Sequence, residues 1–303
     1  MKKTMLILAA ICMTMAANAK ILRVSNVSGS SAPYTTFDAA QDAAEDGDTI
    51  MFDASDKDYG AIMMSANKRL VLKGPGYWLT NNNIVNDGAG EAKTGTITVN
   101  KEGTVIEGLV VKHIDITVPH VVVKRCQTGN IVFSDGADNC IIHQNFLNGI
   151  IYSGGKGNTS YHQITNNIFN KNGSWTYFEI KHINDSRIAY NTSLKKLNFI
   201  SVNNSTMEYN IAPKYGIGSS ENYVFQNNYE TDVYGSSKVS IDSDYFNVEI
   251  ADEIRQTYGA FAGDSPYVIS GVPSGPIITD VNMASSVEQG SAPTVTIKVS
   301  ISK

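Results

Sequence analysis

The chain has 303 residues, 42% hydrophobic and 17% charged, enough to bury one or two sizeable cores and unlike a coiled coil or a disordered chain. Its formal net charge is −5 and it has no basic stripe, which argues against nucleic acid or anionic lipid as a partner.

Residues 1–19 read as a secretory signal: Lys2 and Lys3 give a basic start, "TMLILAAICMTM" is apolar, and Ala17-Asn18-Ala19 offers small residues for cleavage. The run is too short to span a bilayer, and no later stretch is apolar enough to do so. The expected location is the periplasm, the cell surface or the exterior. Residues 20–48 are expected to form an N-terminal cover. In "YTTFDAAQDAAEDGDTI" a helix would put Phe37, Ala40 and Ala44 on one face, with Thr35 or Thr36 as its cap and Gly47 near its end. Strand "TIMF" then opens a region expected to run from 49 to 240, continuing through "GAIMMS" and "RLVLKG".

From there one phrase returns, as in "YHQITNNIFN", "SRIAYNTS" and "STMEYNIA": an apolar residue, two others, then a polar slot. The slots read as Gly108, Cys126, Asn145, Asn167, Asn191, Asn210 and Asn227, spaced by 18, 19, 22, 24, 19 and 17 residues. Val105, Val123, Ile142, Ile164, Ile188, Met207 and Val224 stand three residues ahead, and Val71 with Gly74 fits the same phase earlier. A repeat near twenty residues signals a solenoid. Short apolar stretches between the slots ("NIVFS", "GIIYS", "YFEIK", "NFISV") read as strands, and strands returning in one direction without helical crossovers must stack as parallel sheets. The predicted fold is therefore all-β, a single-stranded right-handed parallel β-helix. Asparagines stacked at roughly 4.8 Å along an inner corner would form a ladder, each amide satisfying buried groups that otherwise cost about 1–3 kcal/mol apiece.

An exported chain with Cys126 and Cys140 invites a disulfide. However, Cys126 sits in a slot and Cys140 five residues before one, an offset of roughly 16 Å along a strand, against a Cα limit of about 7 Å for a bridge. Two free, buried thiols are predicted. After residue 240 the pattern changes, and 241–303 reads as a C-terminal β-rich cap or extension. Ile250, Ile254 and Tyr258 suggest a short helix, "GAFAGDSPYVISGVPSGP" an extended cover, and "PTVTIKVSIS" a half-buried strand laid on the last coils or paired with "PIITDV".

Together "APYTTFDAAQDAAEDGDTI", "LVLKGPGYWL", "TVIEGLVV" and "YGAFAGDSPYVISGVPSGP" resemble the pectin/pectate-lyase-like β-helix superfamily, and within it the exported proteins of Gram-negative, glycan-degrading bacteria. The resemblance covers nearly all of the mature chain and implies the fold. It spans lyases, hydrolases, adhesins and non-catalytic members, so function has to be read from the outward residues.

Alternation predicts outward rows Val132, Ile151, Glu179, Ser201, Gly218 and Ser134, Ser153, Lys181, Asn203, Ser220 on one strand. Lys124, His143, Thr165, Ala189 and Glu208 follow on the other, with Arg187 one step aside. Calcium needs six to eight oxygen ligands, and these rows supply single acids, so no cofactor is expected. Asp135 and Asp138 in "SDGADN" are the weak candidates for a metal ion, and more simply a solvated turn. For catalysis the candidates are Glu179, Lys181, His182 and Arg187 in "YFEIKHINDSRIAYN", with His143 or Lys195 within reach. A lysine or histidine base beside a cation is the minimum for β-elimination on a uronic acid, although such charges are ordinary on a solenoid exterior. Tyr152, Trp175, Tyr177 and Tyr190 are candidates for sugar stacking, Tyr152 being placed inward. The expected function is an exported, non-catalytic binder of a polysaccharide or cell-surface component. A polysaccharide lyase and an adhesin-like structural protein are the rivals.

Overall fold

The computed structural model describes residues 19–80, 90–154, 159–170, 176–231, 252–283 and 295–302. The signal-like start up to Asn18, Trp175 and Ile250 lie outside them.

The described chain winds as a parallel β-solenoid. One wall is a ten-stranded sheet, each strand added one winding after the last: Ile21–Val24, Thr49–Phe52, Val71–Lys73, Val105–Glu107, Val122–Lys124, Ile141–His143, Gln163–Thr165, Arg187–Ala189, Thr206–Glu208 and Val224–Gln226. A fourteen-stranded sheet, also parallel, forms the remaining wall. Leu72, Ile106, Val123, Ile142, Ile164, Ile188 and Met207 stack in register along the inside of the first sheet, all fully buried. The first strand precedes the helix, because Ile21–Val24 pairs with Thr49–Phe52, so the winding begins near residue 21 rather than at 49. Helix α1 (Phe37–Ala43) is inserted between these two strands. Thr36 accepts from the Ala39 N–H at 3.3 Å, and Phe37, Ala40 and Ala44 pack into the same core as Leu22, Val24, Ile50 and Phe52.

Each asparagine phrase now has a local cause. After the inward apolar residue comes an outward one, then a residue in the left-handed region, then the inward amide. Arg125, Gln144, Asn166, Tyr190 and Tyr209 hold the left-handed position with φ between 53° and 56°. That conformation costs a non-glycine residue roughly 1–2 kcal/mol, and at Gln144, Asn166, Tyr190 and Tyr209 the amide that follows offsets it, whereas Arg125 precedes Cys126. Asn145, Asn167, Asn191 and Asn210 are fully buried. The Asn167 Oδ1 accepts from the Asn145 N–H at 2.9 Å and from its Nδ2 at 3.0 Å, while the Asn167 Nδ2 donates to the Ile142 carbonyl at 2.9 Å and to the Asn191 Oδ1 at 3.0 Å. The same four contacts recur at Asn191.

The ladder ends differ by one residue from the sequence reading. Asn228, not Asn227, is the last rung, accepting from the Asn210 N–H at 3.0 Å and from its Nδ2 at 2.9 Å. Asn227 holds the left-handed position at φ 53°, as Gly108 does at 68°. The inward partners are Phe225, Ile106 and Leu72, not Val224, Val105 and Val71, so Gly74 too stands one residue ahead of the slot. Cys126 begins the ladder: its backbone N–H donates to the Asn145 Oδ1 at 3.0 Å.

A second side-chain ladder occupies another corner. Cys140 N–H donates to His162 Nδ1 (3.2 Å), His162 N–H to Ser186 Oγ (2.9 Å) and Ser186 N–H to Ser205 Oγ (3.0 Å). Both cysteines are buried and free, and burial pushes each thiol up to about 12.

The chain then doubles back along the outside. Helix α2 (Asp252–Thr257) leads into a strap, residues 259–274, which covers the corner formed by Phe146, Ile168 and Ile211 and lays Ala260 and Tyr267 on them. The hydroxyls of Tyr77 and Tyr267 bond to each other. The strap carbonyls are held by side chains from the left-handed positions: Asn166 donates to Ala260 and Ala262, Gln144 to Ser265 and Pro266, and Arg125 to Val272. Glu107, buried beside Lys124 and Arg125, accepts from the Ser274 N–H at 2.8 Å. Beyond it Gly275–Met283 and Val295–Ser302 form an antiparallel hairpin, which settles the partner of the alternating C-terminal strand.

Candidate functional site

The cluster written as "YFEIKHINDSRIAYN" is split by the fold. Strand Tyr177–Asn184 puts Glu179 and Lys181 on the outer face of the second sheet, where Lys181 Nζ meets Glu179 Oε2 at 3.0 Å. Tyr152 is their neighbour one winding earlier, with Lys181 Nζ 5.5 Å from its ring centre. It faces outward, whereas Ile151 and Ser153 are buried, the reverse of the alternation read from sequence. The reason is register: Ile131 pairs with Ile151 and Val132 with Tyr152, so the outward row is Val132, Tyr152, Lys181, Ile200 and Gly218. Glu179 pairs instead with Asn198. His182 and Ser201 sit at left-handed kinks, φ 58° and 51°, and belong to neither row. His182 reaches back to the Ser153 carbonyl at 3.4 Å.

Arg187 follows a turn that carries the chain onto the first sheet, so it does not join Lys181. Its Nε and Nη2 both lie 2.9 Å from Glu208 Oε1. Asp135 and Asp138 also separate in role: Asp138 Oδ1 accepts from the Ser160 N–H of the next winding at 2.8 Å, while Asp135 is exposed. Among the described residues no group of three or more metal-ligating side chains converges.

What the first sheet does bring together is a groove of about 340 Å³ between its outer face and the strap. Its floor is the row predicted to face outward, His143 and Thr165 with Gln163 and Arg187 beside them, and its rim is Tyr190, Asp264 and Ser265. His143 Nδ1 pairs with Thr165 Oγ1 at 2.8 Å. Burial, aided by Arg125 and Lys124 and opposed by the Thr165 backbone, lowers its pKa to about 4, so the ring is neutral at pH 7. The second His143 nitrogen, the Gln163 amide, Arg187 Nη1, the Tyr190 hydroxyl and the Asp264 carboxylate make no hydrogen bond to another described residue. The Tyr190 ring is engaged within the protein: it stacks on Tyr209 at 5.1 Å and 7°, with the Arg187 guanidinium 5.6 Å away. Its hydroxyl, not its face, is what the groove has to offer. Gln163 and Asp264 escaped the sequence reading. Gln163 is an ordinary polar residue beside the expected row, and Asp264 belongs to the strap, which has no period to place it.

The class this geometry defines is a parallel β-solenoid with a strapped polar groove. Comparison with protein-family models, with curated proteins and with solved structures found no match to the chain.

Proposed function

We propose that this is an exported carbohydrate-binding protein, a right-handed β-helix of the pectin-lyase-like kind that binds a glycan in the groove beside the strap without cleaving it. The observation that carries the reading is the convergence of polar groups with no partner in the described protein, from His143, Gln163, Arg187, Tyr190 and Asp264, on one concave surface. A concave site with a few convergent polar groups is where a ligand is expected, and donors and acceptors mixed at this density suit hydroxyl-rich sugars. The signal-like start favours the periplasm, cell surface or exterior, where such glycans lie.

Binding is favoured over cleavage by how the charges are arranged. β-Elimination needs a base with a pKa near the working pH and a cation free to neutralise the uronate. Lys181 is paired with Glu179 and Arg187 with Glu208, on different sheets, and His143 is too weak a base. The test is affinity electrophoresis against a panel of soluble glycans, with Gln163→Ala and Arg187→Ala as variants. Retardation that both variants reduce supports the reading. Silence across the panel favours a structural, adhesin-like role. An unsaturated product from a uronic-acid glycan, lost in Lys181→Ala, makes the protein a lyase.

A further inference from the structure

We propose that Asn166 ties the ligand to the strap. Its Oδ1 accepts from a hydroxyl of a glycan in the groove while its Nδ2 holds two strap carbonyls, so a bound sugar and a closed strap stabilise each other. The inference rests on the glycan-binding reading and adds to it a recognising residue and a coupling.

Asn166 lines the groove, yet it is only 4% exposed. Its Nδ2 donates to the Ala260 carbonyl at 3.0 Å and to the Ala262 carbonyl at 2.8 Å. Two carbonyls at one end of an amide require that end to be the NH2, which fixes the orientation of the group and turns Oδ1 away from them. That oxygen accepts from no described residue, and it is not among the polar atoms sealed from solvent. The column of left-handed residues shows why it is open. Gln144, one winding earlier, holds the strap in the same way, through Nε2 to the Ser265 and Pro266 carbonyls, but its Oε1 accepts from Arg125 Nε at 2.8 Å. At Asn166 no such donor arrives. The Gln144 NH2 is already engaged by the strap, and the residue one winding on is Tyr190, whose ring is stacked on Tyr209. Only a donor can fill the position, so the group recognised is a hydroxyl and not an ether or ester oxygen. The two ends of an amide polarise each other, so a hydroxyl bound at Oδ1 strengthens the two bonds from Nδ2. By linkage, a strap held closed raises the affinity for the sugar by the same factor.

The probes are the methyl β-glycosides of glucose, galactose, mannose and xylose, each with its monodeoxy analogues, titrated by NMR into the protein produced from residue 20 onward. The wild-type protein should lose roughly two- to tenfold in affinity when one particular hydroxyl is removed, the scale of one neutral hydrogen bond. In Asn166→Gly, which keeps the φ of 55° without strain, that hydroxyl should no longer matter while the others count as before. In Gln144→Ala, which loosens the strap but leaves the groove oxygen in place, all of them should still matter. A residue that only fastened the strap would give both variants the same pattern. Amide exchange in the wild-type protein is the second readout. Saturation with a probe, or with the retarded panel glycan where no probe binds, should slow exchange at Ala260 and Ala262, whose N–H groups donate to Thr192 Oγ1 and to the Gly259 carbonyl. An unchanged hydroxyl pattern in Asn166→Gly, or strap amides that exchange equally fast with and without sugar, overturns the inference while glycan binding stands. Where Asn166→Gly binds no probe, the wild-type exchange decides alone. No binding of any probe or panel glycan by the wild-type protein overturns the glycan reading itself and this inference with it.

Discussion

Replacing Asn167 by alanine tests the account of the fold at its most specific point. The side chain is fully buried and makes four hydrogen bonds of 2.9–3.0 Å. Alanine removes the acceptor of two buried donors, the Asn145 N–H and one Asn145 amide hydrogen, and one donor to the Ile142 carbonyl. At about 1–3 kcal/mol for each stranded donor, the loss is roughly 2–6 kcal/mol, a large share of the 5–15 kcal/mol typical of a folded domain. Asn228→Ala removes a half-buried terminal rung, where water can replace the amide, and should cost about 1 kcal/mol. Asn227→Gly keeps a left-handed turn residue and should stay within about 0.5 kcal/mol. Urea midpoints followed by circular dichroism give the ranking, and amide exchange at Asn145 gives the local effect without assuming two-state unfolding. Should Asn167→Ala cost no more than Asn228→Ala, or leave Asn145 protected, the ladder is not a source of stability and the argument fails.

His162 lies in the second ladder as a neutral ring, bonded to the Cys140 N–H and to Thr159 Oγ1, and burial lowers its pKa from 6.5 to about 4. A depressed histidine stabilises fully above pH 6.5 and loses that contribution as pH falls toward 4. Unfolding at pH 4.5 should therefore be easier than at pH 7 by roughly 2–3 kcal/mol from this group, with a shallower dependence in His162→Gln, and an identical dependence in that variant would refute the assignment. A disulfide reagent at pH 8 should find no reactive thiol in native protein produced from residue 20 onward and two in urea without reductant, because Cys126 and Cys140 are buried and free. Finding none in urea would mean a bridge. Glu107→Ala should raise amide exchange across the end of the strap near Ser274, where the carboxylate accepts from both Ser274 N–H and Oγ, and leave Asn167 unaffected.

The solenoid was legible because its period is written in one residue type at one phase, and an asparagine buried at that phase has few other physical explanations. The slips occurred where two adjacent residues suit the same role. Val105-Ile106, Val71-Leu72 and Val224-Phe225 are apolar pairs, and Asn227-Asn228 are both amides. The left-handed residue decides between them, and it cannot be read from identity when Arg125, Gln144 and Tyr190 all fill it. Ile150-Ile151-Tyr152 misled in the same way and turned Tyr152 inward. The His162–Ser186–Ser205 ladder was hidden for the opposite reason: its rungs share a geometry but no common residue type. Likewise Glu179, Lys181 and Arg187, close in sequence, end on two different faces, because a turn lies between Asn184 and Arg187.

The left-handed column also explains why the groove lies on the first sheet. Inward positions of a solenoid are fixed by stacking, so neighbouring windings can differ freely only outside. Most outward rows are open to solvent, but the left-handed residues project from a corner, and Arg125, Gln144 and Asn166 use that projection to hold the strap by its carbonyls. From Tyr190 onward the same column changes from donors to aromatic rings, with Tyr190 stacked on Tyr209 and Tyr209 beside Tyr258 of the returning chain. The groove opens where these two modes of fastening meet, which is where the strap brings Asp264 and Ser265 over the row of His143 and Thr165. A repeating surface thereby acquires one place unlike the rest, built jointly by periodic and non-periodic chain. Loosening the strap should therefore weaken ligand binding even when every floor residue is intact, so Gln144→Ala, whose side chain holds the Ser265 and Pro266 carbonyls without itself lining the groove, is expected to lower glycan affinity. Unchanged affinity in that variant would separate the strap from the site.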